Sequence, residues 1–171
     1  MPKGLKQTSG LISIGFSVTE SAPNTFTQAQ TDLQLNVLDR EVFVVYGISL
    51  DVSSPDLQAG LNTGTFASLS TTSRTTLGNL SVSNVLATGA DQIRAFGAIA
   101  DGVGFSFNSS DAPATQLEYL GIIATNDFFV QVASQNNVTP KTIFGRMYGV
   151  RSVADASIYS ALVQSELLSA N

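Results

Sequence analysis

Glu41-Val42-Phe43-Val44-Val45-Tyr46-Gly47-Ile48-Ser49-Leu50-Asp51-Val52 is the longest β-rich run of the chain. Its first residues are apolar on both faces, and from Ile48 onward apolar and polar residues alternate. β-branched and aromatic residues favour a pleated backbone, and a strand without a polar face must be covered on both sides. The run therefore predicts a central strand, ended by the turn residues Ser53-Ser54-Pro55-Asp56.

Working outward, the same period of two recurs. Ile12, Ile14, Phe16 and Val18 share one face of Leu11–Val18, and Leu33, Leu35 and Val37 alternate with Gln34 and Asn36, each pattern that of a half-buried strand. Phe66 to Leu77 is rich in Ser and Thr with no helical period, so strands are expected there too. Gln92–Ile99 and Val103–Phe107 are short strand candidates flanking the tight-turn pair Asp101-Gly102. Asn108–Pro113 is a loop and Leu117–Thr125 a further strand, with helix as the alternative.

The last third carries the clearest signals. Asp127–Ser134 is a strand, Asn136-Asn137-Val138-Thr139-Pro140 turns the chain, and Lys141–Val153 returns. In the return strand Ile143, Gly145, Met147, Gly149 and Arg151 lie on one face, and Phe144, Arg146, Tyr148 and Val150 on the other. Two glycines on one face leave room for a neighbouring aromatic ring or backbone. Asp155 offers an N-cap to a helix over Ala156–Leu168, the one segment with a clear helical composition. Serial short strands with turns between them indicate a mainly β fold, an antiparallel sandwich of about eight strands with a C-terminal α-helix at about 155–168. Residues 10–171 form one domain, preceded by a flexible N-terminal arm over 1–9.

Composition narrows the chemistry. The 171 residues include no His, Cys or Trp, which removes the usual general bases, thiolates and soft metal ligands. Carboxylates are scattered singly. No Ser-x-x-Lys frame is present, and Gly102-Val103-Gly104 lacks the third glycine and following helix of a dinucleotide loop. Asn108-Ser109-Ser110-Asp111 is a sparse set of oxygen ligands for Ca²⁺. The reading is a non-enzymatic protein with no cofactor and no catalytic or metal residue. Net charge is −5, which disfavours direct nucleic-acid binding despite Lys3 and Lys6. Neither a signal-peptide core nor a run of ~20 apolar residues is visible.

Only 12% of residues are charged, about half the usual share. A surface of hydroxyls and amides is desolvated at lower cost than a charged one, which suits large contact areas. Candidate contact residues are Arg146 and Arg151, which five residues apart on a strand face opposite ways, and the helix residues Tyr159, Leu162, Val163, Leu167 and Leu168. The helix, with Glu166 its sole charge after the cap, either covers the domain's own sheet or docks on another subunit.

Asp127-Phe128-Phe129-Val130, continuing through Gly145-Arg146-Met147-Tyr148-Gly149-Val150-Arg151 into the helix, together with the chain length and the Ser/Thr/Asn-rich surface, resembles the single jelly-roll capsid proteins of tailless icosahedral viruses. The resemblance implies a self-assembling virion shell subunit whose partners are copies of itself and other virion proteins. The acidic charge departs from capsids that hold genome with basic arms. A membrane-lined shell with internal membrane contact, a separate packaging protein or an outer layer would be consistent with it. The other reading is a lectin-like or adhesin-like binding module, its site in the loops Asp56–Gly64 and Asn108–Pro113.

Overall fold

A computed structural model describes residues 3–97, 101–108 and 117–169. Among these residues ten strands precede one helix: β1 Leu5–Gln7, β2 Ile12–Thr19, β3 Thr27–Asp32, β4 Glu41–Val52, β5 Thr63–Ser70, β6 Val85–Ala95, β7 Gly102–Asn108, β8 Gly121–Ile123, β9 Asp127–Gln135, β10 Thr142–Ala154 and α1 Ala156–Leu168. They form two antiparallel five-stranded sheets. In the first, β10 lies between β4 and the collinear pair β1 and β2, and β8 follows β4; the second runs β3-β9-β5-β6-β7. Leaving aside β1 and β7, the eight remaining strands are ordered β2-β10-β4-β8 and β3-β9-β5-β6, each sheet drawing alternately from both halves of the chain. That interleaving is the double Greek key of a single jelly roll.

The run Glu41–Val52 is central, as its sequence requires, held between β10 and β8. Its inner side chains change parity midway. Phe43 and Val45 face the core between the sheets, then Ile48 and Leu50 do. A bulge accounts for the change: Tyr148 pairs with Gly47 but Gly149 pairs with Val45, so Tyr46 is the extra residue. The outward pair Val42 and Val44 is covered by α1, which packs Ile158, Tyr159, Leu162 and Val163 over them together with Leu5, Val150 and Ala154. Two apolar layers, one on each side of the first sheet, are why the start of β4 has no polar face.

The same-face glycines of β10 do what their spacing predicts. A Cβ on Gly145 would collide with the Phe16 ring, and one on Gly149 with the Phe43 ring and the Val44 carbonyl. Phe16 then meets Phe128 of the second sheet edge-on, with centroids 5.6 Å apart.

Several expectations are corrected. Part of the expected arm over 1–9 is ordered: Leu5–Gln7 continues the line of β2 along β10, and Leu5 is buried. The alternation Leu33–Val37 is not a strand. β3 ends at Asp32, Gln34 takes a positive φ of 52°, and the Asn36 side chain accepts from Leu38 N to start a 3-10 turn over Val37–Asp39. Leu33 and Leu35 still reach the core, which preserved the pattern. The Ser/Thr-rich stretch is strand only to Ser70, where Ser70 Oγ donates to the Thr72 carbonyl and the chain turns out of the sheet. Leu117–Thr125 contributes only Gly121–Ile123. β6 begins at Val85, earlier than expected, and residues 98 and 99 of that expectation lie outside the described residues. Asp155 occupies the N-cap, but its carboxylate makes no capping hydrogen bond.

Candidate interaction surface

Helix α1 covers only part of the outer face of the first sheet. The inward stripe is Ile158, Tyr159, Leu162, Val163 and Glu166, a helical repeat of four set against β8 and the ends of β4 and β10. Leu167 and Leu168, 61% and 80% exposed, point away from the sheet. Glu166 instead is buried: its Oε1 accepts from Ala124 N at 3.0 Å and its Oε2 from Thr125 N at 2.9 Å, just past the end of β8. Desolvation raises its pKa above the usual value of 4.5; the two N–H donors oppose the rise, while the Asp127 charge adds to it. Sequence hydropathy sets a glutamate on the wet side, and nothing in the chain signals two free N–H groups waiting for it.

Beyond the helix, the rest of that face is open. Phe144 is exposed, Arg146 is exposed and Tyr148 is partly so, all on the outward side of β10, with Tyr46 exposed at the neighbouring bulge. Among the described residues Arg146 has no carboxylate partner. An arginine between two aromatics on an extended strand is the side-chain set enriched at the centres of protein interfaces.

Arg151 faces the opposite way, as strand geometry requires, and is used internally. Its guanidinium donates to the Leu33 and Gln34 carbonyls and to Glu41 Oε2 at 2.9 to 3.2 Å, fastening the β3–β4 connection. The two arginines thus have separate surroundings. Tyr159, Leu162 and Val163 lie against the domain's own sheet, while Arg146, Leu167 and Leu168 face solvent.

The loop expected to bind a ligand, Asp56–Gly64, is stitched to the β9–β10 turn. Asp56 accepts from Val138 N, Thr139 N and Thr139 Oγ1, and pairs with Lys141 Nζ at 2.6 Å. Lys141 above all, helped by the Thr139 and Val138 bonds and opposed by partial burial, lowers the Asp56 pKa to about 2. Asn137 donates to the Gly64 carbonyl and accepts from Asp56 N. Of the other loop, Asn108–Pro113, residues 109–113 lie outside the described residues, as do three of the four suggested Ca²⁺ ligands. Among the described residues no three acidic side chains gather to hold a metal.

The sequence did not foresee a groove on the second sheet. Residues 71–84 fold back over its outer face through a neutral network: Gln131 donates to Gln28 and Ser70 and accepts from Ser68 Oγ, while Gly78 N reaches Ser68 and Arg74 N reaches Gln28. This loop stops short of β7. Between them lies an open pocket of about 640 Å³ walled by Phe66, Leu77, Leu80 and Phe107, with Asn79 and Thr88 among its polar groups.

Among the described residues no helix is long and apolar enough to cross a membrane. Against known proteins, the chain matches no family model and no curated sequence.

Proposed function

We propose that this protein is a self-assembling, non-enzymatic structural subunit of a viral shell, located in the virion. The observation that carries the reading is the open half of the first sheet, where Phe144, Arg146 and Tyr148 stand in line on one strand of a jelly roll. Two observations support it, the low share of charged residues and the exposed Leu167 and Leu168, and it agrees with the architectural resemblance of the sequence to jelly-roll capsid proteins. Its partners are copies of itself and other virion proteins. With a net charge of −5 it does not itself hold the genome.

Light scattering of the purified protein, with negative-stain imaging of large species, tests the reading. Regular closed particles are expected, and Arg146→Ala with Tyr148→Ser should abolish them while leaving the subunit folded, since both side chains reach solvent. A subunit that stays monomeric at every concentration overturns it.

A second reading, a lectin-like or adhesin-like binding module, is favoured by one observation: the pocket of about 640 Å³ with two phenylalanines and flanking amide and hydroxyl groups. A monomer that binds a defined glycan, and loses it in Phe107→Ala, would establish that alternative.

A further inference from the structure

Among the described residues β7 is the outermost strand of the second sheet, and only β6 pairs with it. Outermost strands are ordinarily protected by charges, prolines, bulges or shortness, because their free N–H and C=O groups invite another strand. Gly102-Val103-Gly104-Phe105-Ser106-Phe107-Asn108 has no charge and no proline, pairs with β6 in unbroken register, and is seven residues long.

Its side chains are sorted by face. Phe105 and Phe107 pair with Gln92 and Ala90, and Ala90 pairs in turn with Phe66, so Val103, Phe105 and Phe107 share the outer face with Phe66. They are 50%, 46% and 60% exposed. At roughly 150–250 Å² per large side chain, these three leave on the order of 300 Å² of apolar area open on each subunit. Paired edge to edge, the two stripes lie side by side on one outer face of the joined sheet and cover each other's flanks, so the main-chain hydrogen bonds of β7 carry the contact and the cross-strand apolar pairs add to it.

We propose that β7 pairs antiparallel with β7 of a second copy of this chain about a two-fold axis at Phe105, joining two sandwiches through one continuous ten-stranded sheet. The pattern of the strand is self-complementary about that residue. Phe105 meets Phe105, Val103 meets Phe107 and Gly104 meets Ser106. Every outward apolar residue then has an apolar neighbour, every inward position pairs small with small, and no like charges oppose one another. A one-residue shift would set the outer face of one strand against the inner face of the other, and a two-residue shift would set one of the large side chains opposite a residue outside β7. A second copy fits better than a foreign strand because the same seven residues satisfy both sides. The pairing does not require the shell reading.

The absence of native cysteine makes the test clean. Residues directly opposite on antiparallel strands have Cα atoms about 4.5–5.5 Å apart, within disulfide range, whereas residues offset by two are too far. Under mild oxidation Phe105→Cys should link into a dimer at least ~10-fold faster than Ser106→Cys or Leu168→Cys. Phe105→Lys should halve the mass of the smallest oligomer. Equal rates at the three positions would overturn the proposal, as would an unchanged mass in Phe105→Lys. Particles that form while the Phe105→Cys variant stays unlinked defeat this interface and leave the shell reading standing. A disulfide-linked dimer of Phe105→Cys that never grows supports the pairing and defeats the shell. A monomer without linkage defeats both.

Discussion

Both sheets carry a cover on their outer face, and beneath each cover lies a buried polar side chain, yet the two differ in kind. On the first sheet an apolar helix is fixed by a carboxylate, Glu166, taking two backbone N–H groups. On the second a polar loop is fixed through an amide, Gln131, whose partners Gln28, Ser68 and Ser70 in turn bond Arg74, Gly78 and Thr72. An amide has both donors and an acceptor and keeps them at every pH, so it can sit at the centre of a network. A carboxylate in its ionised form only accepts, binds N–H groups more strongly, and resists burial. The helix cover therefore responds to pH, whereas the loop cover does not.

Replacing the neutral anchor should have the larger effect. Gln131→Leu removes three hydrogen bonds in a fully buried position, and at about 1 kcal/mol each the loss is about 3 kcal/mol in denaturant unfolding, with residues 71–84 gaining hydrogen exchange. Glu166→Ala should cost less, about 1–2 kcal/mol, because losing two charge-assisted bonds is partly offset by removing a carboxylate that burial disfavours. If Glu166→Ala were the more damaging, the charge would be worth more than its desolvation and the comparison would fail.

A smaller effect is the pH dependence. The folded pKa of Glu166 is raised, so the folded state binds its proton more tightly than the unfolded chain does. Stability from this group is gained as pH falls through the raised value toward 4.5 and is absent above it. Asp56 has the opposite sign: its pKa is lowered from 3.8 to about 2, so its contribution is full above 3.8 and lost as pH falls to about 2. Urea midpoints against pH should show the first trend vanish in Glu166→Gln and the second in Asp56→Asn, with Gln131→Leu altering neither slope. The Asp56 contribution is at most about 1 kcal/mol, as for other solvent-accessible pairs. Smallest of all, Leu167→Ser with Leu168→Ser should shift monomer stability by no more than ~0.5 kcal/mol, since both side chains are exposed.

The two regions were also unequally legible in the sequence. Glu41–Val52 and the glycines of β10 speak through packing, which period and size report directly: two apolar faces mean two covers, and a repeated glycine means a neighbour's ring. The helix was legible as a helix, but its orientation was not. Leu167 and Leu168 look more suited to a sheet than Glu166 does, and only the free N–H groups of Ala124 and Thr125 reverse that choice. The loop over the second sheet was still less visible, because Ser, Thr, Gln and Asn occupy strands and loops alike and their partners lie far along the chain. Of the suggested contact residues, strand alternation separated Arg146 from Arg151, but it could not tell which of them the fold would employ internally.

β10 reaches nearly every part of the first sheet, pairing with β1, β2 and β4, and it is the last of the ten strands to be made. Among the described residues, β1 and β2 pair with no strand but β10, so a nascent chain that lacks residues 142–154 leaves both unpaired. The first sheet therefore closes only after those residues have left the ribosome, with contacts as remote in sequence as Leu5 with Ala154. Folding dominated by such contacts is slow, in the millisecond-to-second range. During that wait the uncharged strands β5 and β7 of the second sheet are able to find their counterparts on other copies, so the order of synthesis favours completing the chain before many copies accumulate together.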